Sequence, residues 1–232
     1  MKALPLEARQ VGKTFGLSPV LRAVSLKVDQ GECAVIVGRN GSGKSTLVRI
    51  LAGLSSVSAG EALLFGQPAR KLQPYDRRRV GLITHQSFLY SRLTARENLE
   101  FYAELYGLDH RASRVTELLE RIGLASAADE RVSSFSRGME QRLTLARATI
   151  AAPDVLLMDE PFTALDADGV EAAMGLIGGA LDRGCAIVIT AHEHFQFAQL
   201  TFSSYALVRG RLSPAPADSK AEAAVQHSAA AG

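Results

Sequence analysis

The sequence predicts an α/β protein with a buried, mainly parallel β-sheet. Apolar runs of strand type recur along the chain at 33–37, 80–84, 155–158 and 185–190, and helical patterns lie between or after them. Strands that are covered by helices on both faces are continuously apolar, and strands that alternate with helices form parallel sheets. The alternation of these apolar runs with helical patterns therefore indicates this fold class.

Two segments depart from the alternation and indicate subdomains. Residues 87–150 are almost wholly helical, which predicts an inserted helical subdomain, and residues 1–30 and 60–84 predict a small antiparallel β subdomain. The last residues are rich in Pro, Ala and Ser with few apolar anchors, a composition typical of disorder. We therefore expect one folded domain over 1–212 and a disordered tail over 213–232.

Several helices carry recognisable start and stop signals. Thr94 and Glu97 form the sequence pattern of a capping box, which predicts a helix that begins there and runs through Tyr106. Ser136 is predicted to cap the start of another helix, in which apolar residues recur at helical spacing. Stop signals for two other helices are Gly53 after 44–51 and Gly184 after 170–181.

Composition limits the classes of function. The net charge of +2 on 232 residues provides no broad cationic surface, which argues against a dedicated nucleic-acid binder. Cys33 and Cys185 lie in apolar strand-like runs and are expected to be buried, reduced thiols. No apolar run approaches the ~20 residues that span a bilayer. The N-terminal residues also lack the apolar core of a signal peptide, so we expect any membrane association to depend on a partner.

Residues 38–45, GRNGSGKS, match the phosphate-binding pattern G-x-x-x-x-G-K-[ST] between an apolar strand and a helix. Glycines in such a loop allow backbone N–H groups to surround phosphate oxygens, and the helix N-terminus adds the positive end of its dipole. Lys44 can reach the β- and γ-phosphates, and the Ser45 hydroxyl can ligate magnesium. The predicted nucleotide-binding residues of this loop are Gly38, Arg39, Asn40, Gly41, Ser42, Gly43, Lys44, Ser45 and Thr46.

A second apolar strand, in DVLLMDE at 154–160, ends in two acidic residues. In phosphate-loop proteins an acid at this position holds magnesium, so Asp159 is the predicted metal ligand. Glu160 follows directly, where it could polarise a water towards the γ-phosphate. Acids are also common at solvated strand ends, but beside a phosphate loop this pair favours nucleotide hydrolysis over simple binding.

These pieces resemble the ATP-binding cassette (ABC) family of P-loop NTPases over about residues 5–212. Six features match in order, beginning with Phe15, which stands where the family has an aromatic residue that stacks on adenine, and GRNGSGKST (38–46), which is similar to the Walker A loop. Gln86 is similar to the Q-loop glutamine, and FSRGMEQR (135–142) is similar to the signature motif LSGGQ-x-QR. The Walker B acids are followed by a D-loop, TALD (163–166), and His192 is similar to the switch histidine. The resemblance implies a RecA-like core with ATP and Mg²⁺ as ligands.

The signature-like run departs from the family pattern at three positions. Phe135 stands for leucine, Arg137 for the first glycine and Met139 for glutamine, whereas Ser136 and Gly138, which address phosphate in the family, are present. We expect the site to work, with Arg137 either pointing away from the nucleotide or adding a charged contact across a dimer.

The resemblance implies a site that two chains build together. In the family two cassettes associate head to tail, and ATP lies between the Walker A loop of one and the signature motif of the other. Ser136 and Gly138 are thereby expected to contact a γ-phosphate that a second chain holds. The implied catalytic residues are Glu160, His192, Gln86 and Lys44, and the implied magnesium ligands are Ser45, Gln86 and Asp159.

The resemblance also implies a transporter. A chain with one cassette is expected to form a homodimer beneath two transmembrane permease subunits, which contact it near Gln86 and Phe88–Thr94, at the cytoplasmic face of the cell (inner) membrane. The Ser-Arg-Gly-Met signature and the stretch 85–107 look most like the ATP-binding subunits of haem exporters of cytochrome c maturation. Drug, lipid and polysaccharide exporters share much of this pattern.

Proteins of other classes fit the sequence less well. DNA-repair and chromosome-maintenance ATPases separate the Walker A loop from the signature by a long coiled coil, and the gap from Ser45 to Ser136 shows no sustained heptads. The ribosome-associated type carries two cassettes in one chain. A P-loop kinase or GTPase does not need the signature, D-loop and switch histidine together.

Three further features also have an ordinary structural interpretation. An aromatic such as Phe15 is often part of a core. The run HEH at 192–194 lacks the H-E-x-x-H spacing of a zinc site. The arginine triplet at 77–79 could touch lipid head groups, although such a triplet is more often a solvated face.

Overall fold

The computed structural model describes residues 4–192 and 200–215. The chain divides into two compact units, of which the first comprises residues 1–72 and 186–232 and the second residues 73–185. Most of the predicted tail and the last two residues of the HEH run lie outside the described residues.

The first unit contains a four-stranded antiparallel sheet. Its strands are β1 (Leu6–Phe15), β2 (Ser18–Val28), β4 (Ala59–Leu64) and β5 (Gln67–Pro68). They lie in the order β2-β1-β4-β5, and Leu6 pairs with Val28 on one side and with Leu64 on the other. This sheet confirms the small antiparallel β subdomain that the sequence predicts.

The same unit contains a second group of strands, which carries the predicted phosphate loop. They are β3 (Cys33–Val37), β8 (Ala186–Ala191), β9 (Ser203–Val208) and β10 (Arg211–Pro214). β3 lies between β8 and β9 and is parallel to both, whereas β10 is antiparallel to β9. The helix α1 (Lys44–Leu51) follows β3, and the last strand continues two residues past the expected boundary at 212.

The second unit is mainly helical around two parallel strands. Its elements are α2 (Pro74–Arg77), β6 (Val80–Ile83), α3 (Ala95–Leu105), α4 (Arg111–Arg121), α5 (Arg137–Thr149), β7 (Val155–Asp159) and α6 (Ala167–Asp182). β6 and β7 pair in parallel, with Val80 opposite Val155 and Ile83 opposite Met158. The helices α3, α4 and α5 lie within the segment 87–150 that the sequence predicts to be helical.

Two predictions conflict for residues 80–83. The apolar run 80–84 predicts a strand of the parallel core sheet, whereas the segment 60–84 is predicted to belong to the β subdomain. Their parallel pairing with β7 supports the core strand, so their assignment to the β subdomain is wrong. Side chains on this strand are buried or half-buried on both faces, as expected for a strand inside a parallel sheet.

Cys33 and Cys185, which both lie within the described residues, are buried and form no disulfide, as predicted. Burial raises the pKa of the Cys185 thiol to about 12, because the surrounding protein disfavours the charged thiolate. The thiol therefore stays protonated and unreactive at neutral pH.

The predicted capping box at the start of α3 is confirmed. The Thr94 hydroxyl accepts a hydrogen bond from the backbone N–H of Glu97 at 3.1 Å, and the Glu97 carboxylate accepts one from the N–H of Thr94 at 2.8 Å. Gly53 and Gly184 end their helices with φ of 73° and 85°, a left-handed conformation that a side chain disfavours.

The capping box gives a direct stability prediction. Thr94→Ala leaves one backbone N–H of the first turn without its partner, so the free energy of unfolding is expected to fall by about 1 kcal/mol. Denaturant unfolding of the purified chain measures the change. Thr116→Ala, at an exposed position within α4, is the matched control and is expected to change stability by less than about 0.5 kcal/mol. Equal losses in the two variants would contradict the capping role.

Candidate nucleotide-binding and hydrolysis site

The predicted phosphate loop connects β3 to α1 in the first unit. Gly41 and Gly43 adopt positive φ values of 77° and 108°, which turn the chain tightly before Lys44 begins the helix. The Lys44 side chain folds back over the loop, and its Nζ donates to the Gly38 carbonyl oxygen at 2.6 Å and lies 3.5 Å from that of Arg39. The loop is thus closed around the amine that the sequence assigns to the β- and γ-phosphates.

The loop combines tight packing at Gly38 with the donors that a phosphate requires. A Cβ atom at Gly38 would lie 2.7 Å from both the Leu207 carbonyl oxygen and the Ser42 hydroxyl, so no larger residue fits there. The Ser42 hydroxyl is buried and has no hydrogen-bond partner among the described residues. The first N–H groups of α1 likewise lack partners within the helix. A buried hydroxyl without a partner is costly, and a phosphate oxygen would satisfy it.

The other candidates of the first unit lie near strand ends. Phe15 ends β1 and is 54% exposed, with the Lys13 Nζ 4.8 Å from its ring centroid, so it is not a core aromatic. His192 follows directly after β8 and is exposed. Asn40, Ser45 and Thr46 lie in the phosphate loop or the first turn of α1.

The acidic pair lies at the end of β7 in the second unit. Asp159 is 3% exposed, and its Oδ2 lies 3.6 Å from the Nε2 of His85. Glu160 has a positive φ of 52°, which is uncommon for a residue with a side chain and is typical of functional sites. The sharp turn after the buried strand brings the side chains of both acids to the wall of one cavity of about 240 Å³.

The start of the signature helix α5 lies at the same cavity. The Ser136 hydroxyl accepts a hydrogen bond from the backbone N–H of Met139 at 3.2 Å, which confirms the predicted N-cap. Arg137 lines the cavity together with the acidic pair of its own chain. From the sequence, Arg137 was expected either to point away from the nucleotide or to make a charged contact across a dimer, and neither expectation includes this arrangement.

The start of α5 packs against the segment that follows the acidic pair, through one hydrogen bond and one close backbone approach. The Gln141 amide donates to the Pro161 carbonyl oxygen at 2.7 Å. A Cβ at Gly138 would lie 3.1 Å from the carbonyl oxygen of Ala164, a D-loop residue with φ of 67°. Gly138 thus has a packing role within its own chain, besides the phosphate contact that the sequence assigns to it.

Gln86 lies on an exposed turn after β6. Its backbone N–H donates to the Thr84 hydroxyl at 3.2 Å, and that hydroxyl lies 3.1 Å from the Gln86 carbonyl oxygen. The following segment is held by Asn98, which is fully buried and exchanges hydrogen bonds with both backbone groups of Tyr90. The sequence prediction missed Asn98, although a polar residue on the buried face of an amphipathic helix is a recognisable signal.

The arginine triplet divides into two structural residues and one solvated residue. Arg79 pairs with Asp154 at 2.6 Å and with Asp76 at 3.4 Å. Arg78 lies over the Tyr75 ring, and Arg77 is exposed. No group of side chains suited to a metal ion of the zinc type occurs among residues 4–192 and 200–215.

Two features define a P-loop nucleotide-binding protein. One is a glycine loop that closes around a lysine, and the other is a strand that ends in an acidic pair. A family model described as ABC transporter matches residues 21–163. The chain belongs to this family, and the matched region is its ATPase domain. Within the part of the chain that the structure describes, no helix is long and apolar enough to cross a membrane.

Known proteins with similar sequences or folds agree with this family. Nod factor export ATP-binding protein I of Burkholderia orbicola (strain AU 1054) is 38% identical over 194 residues, which cover 83% of this chain and 64% of that protein. The chain therefore spans less than two thirds of the length of this curated relative. Rhizobium etli has a relative of the same name, 36% identical over 81% of this chain and 60% of its own length.

One solved structure shows how closely the fold matches. A dimeric ATP-binding cassette in a post-hydrolysis state, bound to ADP and Pi, has a TM-score of 0.81 and 26% identity, and the match covers 91% of this chain and 99% of that one. This similarity confirms the α/β fold with a P-loop NTPase core.

Proposed function

We propose that this chain is the ATP-binding and ATP-hydrolysing subunit of an ABC exporter. The observation that carries the proposal is the loop at 38–46, in which the Ser42 hydroxyl is buried with no partner among the described residues and the backbone closes around the Lys44 amine. The family match and relatives named for export support the transporter.

The residues of the chain have separable tasks in this proposal. Lys44 exchanges its contacts with the loop carbonyls for phosphate oxygens when ATP binds, and Phe15 offers an exposed ring to the adenine. Ser45, Gln86 and Asp159 hold magnesium, which neutralises phosphate charge when bound. Glu160 takes a proton from the attacking water, and His192 contacts the γ-phosphate.

We propose that two copies of the chain complete each ATP site. Ser136 and Gly138 stand at the N-terminus of α5, where backbone N–H groups and a hydroxyl hydrogen can address a phosphate that the other copy holds. The dimer of the solved relative supports this arrangement.

The chain would then work beneath permease subunits at the cytoplasmic face of the inner membrane, with membrane association through these partners. Gln86 and the segment Phe88–Thr94 form the proposed contact edge, and Phe88 and Tyr90 expose aromatic rings there. Purification of the chain from detergent-solubilised membranes tests this proposal. Recovery of a polytopic membrane protein is expected, and recovery of DNA or ribosomes instead would contradict transport.

Two substrate classes follow from different observations. The Ser-Arg-Gly-Met signature supports haem export in cytochrome c maturation, and the curated relatives support export of a Nod factor type of substrate. Deletion of the gene separates them, because loss of c-type cytochromes is expected only for haem export. Normal c-type cytochromes would favour export of a different substrate, either of the Nod factor type or of the drug, lipid or polysaccharide type.

Arg137 gives a prediction about magnesium. Arg137 lines the same cavity as Asp159 and Glu160, so we expect its positive charge to compete with a cation for their negative charge. In Arg137→Gly, the magnesium concentration for half-maximal ATP hydrolysis is expected to fall by about two- to fivefold. Titration of phosphate release with magnesium measures the shift. The control Arg77→Gln removes an exposed arginine of the same unit, and equal effects in both variants would contradict a local role.

A further inference from the structure

The ring of Phe15, the candidate platform for the nucleotide base, has a cation on one face. The Nζ of Lys13 lies 4.8 Å from the ring centroid, and both residues belong to β1 in the first unit. Lys13 is 8% exposed, whereas Phe15 is 54% exposed. The ammonium therefore covers the ring on its buried side, and the exposed side is open to a ligand.

The Lys13 ammonium is a buried charge without a carboxylate partner among the described residues. Its Nζ donates to the Ser56 carbonyl oxygen at 2.7 Å and to the Ser56 hydroxyl at 3.2 Å. Buried charges are normally paired, because their desolvation is costly. The negative face of the Phe15 ring supplies part of the missing attraction, and such a contact is strongest where the cation is shielded from water.

The hydrogen bonds alone do not explain why a charged residue occupies position 13. The end of β1 is also held to the loop after α1 by Ser58, whose N–H donates to the Gly12 carbonyl oxygen at 2.8 Å and whose hydroxyl accepts from the Thr14 N–H at 3.1 Å. A neutral side chain could donate to Ser56 without burying a charge. The positive charge therefore has a use besides these hydrogen bonds, and the Phe15 ring is the group that it faces.

A cation on one face of a ring changes how the other face stacks. The two faces of an aromatic ring are negative, so two stacked rings repel each other through their π-electrons unless they are offset. A cation on the buried face attracts this electron density and holds the ring in one orientation. The open face then repels an electron-rich purine less, and less ordering of the ring is needed when the base binds.

We propose that Lys13 is a positioning residue for the nucleotide base, which fixes the Phe15 ring from its buried side and leaves the outer face for adenine. The inference rests on the proposed function, in which Phe15 offers its ring to the base. Lys13 acts through Phe15 and contacts neither the base nor the phosphates.

The affinity of the purified full chain for two ligands tests the proposal. Calorimetric titration in EDTA, which prevents hydrolysis, compares ATP with inorganic tripolyphosphate, which has the phosphates but no base. Lys13→Gln keeps a donor for Ser56 and loses the charge, so its affinity for ATP is expected to fall about three- to tenfold with no change for tripolyphosphate. Lys13→Arg restores a cation and should stay within about twofold of the parent for both ligands.

Two outcomes of this titration would overturn the proposal. One is ATP affinity at the parent level in Lys13→Gln, and the other is an equal fall for ATP and tripolyphosphate, which would give Lys13 a purely structural role. Lys13→Met is the second uncharged variant and carries the same expectations, should Lys13→Gln fail to fold.

A double-mutant cycle shows whether Lys13 acts through the ring. In a Phe15→Leu background, Lys13→Gln is expected to change ATP affinity by less than about twofold, because the ring that it positions is gone. The same loss in both backgrounds would contradict the proposal. Ser56→Ala is the matched control, since it removes one hydrogen bond of the same amine and leaves the cation over the ring. ATP affinity should stay at the parent level there, and a loss equal to that of Lys13→Gln would assign the effect to the hydrogen bond.

The same titrations separate this inference from the proposed function. If the parent binds neither ATP nor tripolyphosphate, the proposed function fails. If the parent binds ATP and Phe15→Leu weakens that binding while Lys13→Gln does not, only this inference fails. Parent-level ATP affinity in Phe15→Leu would overturn the base platform and this inference together, and would leave the phosphate loop and the acidic pair as assigned.

Discussion

Replacement of Glu160 by glutamine is expected to lower ATP hydrolysis by about 10²–10⁴-fold and to trap an ATP-bound dimer. The proposed base stands on a turn with φ of 52°, and glutamine has the same shape, so the cavity keeps its form while the proton acceptor is lost. Phosphate release measures hydrolysis, and light scattering with magnesium and ATP measures the dimer.

Glu140→Gln is the matched control for this prediction. Glu140 lines the same cavity but stands on α5 rather than at the strand end, so its loss is expected to leave hydrolysis within about threefold of the parent rate. Hydrolysis at the parent rate in Glu160→Gln would show that the base is assigned to the wrong residue.

Replacement of Lys44 by alanine is expected to abolish the nucleotide response of the chain. The Nζ that now contacts the Gly38 carbonyl oxygen is the proposed phosphate donor, and loss of one such donor lowers catalysis by about 10²–10³-fold. ATP should raise the Tm of the parent but not that of the variant, because only a folded protein that binds the ligand is stabilised.

Lys27→Ala serves as the control for the Lys44 substitution. Lys27 is 70% exposed on β2 and, among the described residues, pairs with Glu7 alone, so both hydrolysis and the Tm shift should stay at the parent level. An ATP-dependent rise in Tm that persists in Lys44→Ala would contradict the phosphate-loop assignment.

Sequence reasoning succeeded where the signal is local. The capping box at Thr94, the N-cap at Ser136 and the glycine stops all depend on residues within one helical turn, and the structure contains each of them. Continuous apolar runs likewise predicted β3 in full and β6, β7 and β8 to within one residue, whereas the prediction missed β9, which lies beside β3.

Sequence reasoning failed where a side chain depends on residues distant in the chain. Arg78 and Arg79 are neighbours with the same chemistry, yet only Arg79 meets Asp154. Two hydrogen bonds also depend on strand order and helix packing. Gln141 donates to the Pro161 carbonyl oxygen, and Arg147 donates to that of Leu82. Local patterns do not encode such distances.

The most direct test of the composite site is the dependence of ATP hydrolysis on protein concentration. If two copies complete each site, phosphate release per chain by the purified protein should rise with concentration and level off once dimers form, and Glu160→Gln should release almost none at any concentration. A rate per chain that is constant from the lowest concentration of a monomeric sample, or the absence of ATP hydrolysis at every concentration, would contradict this account.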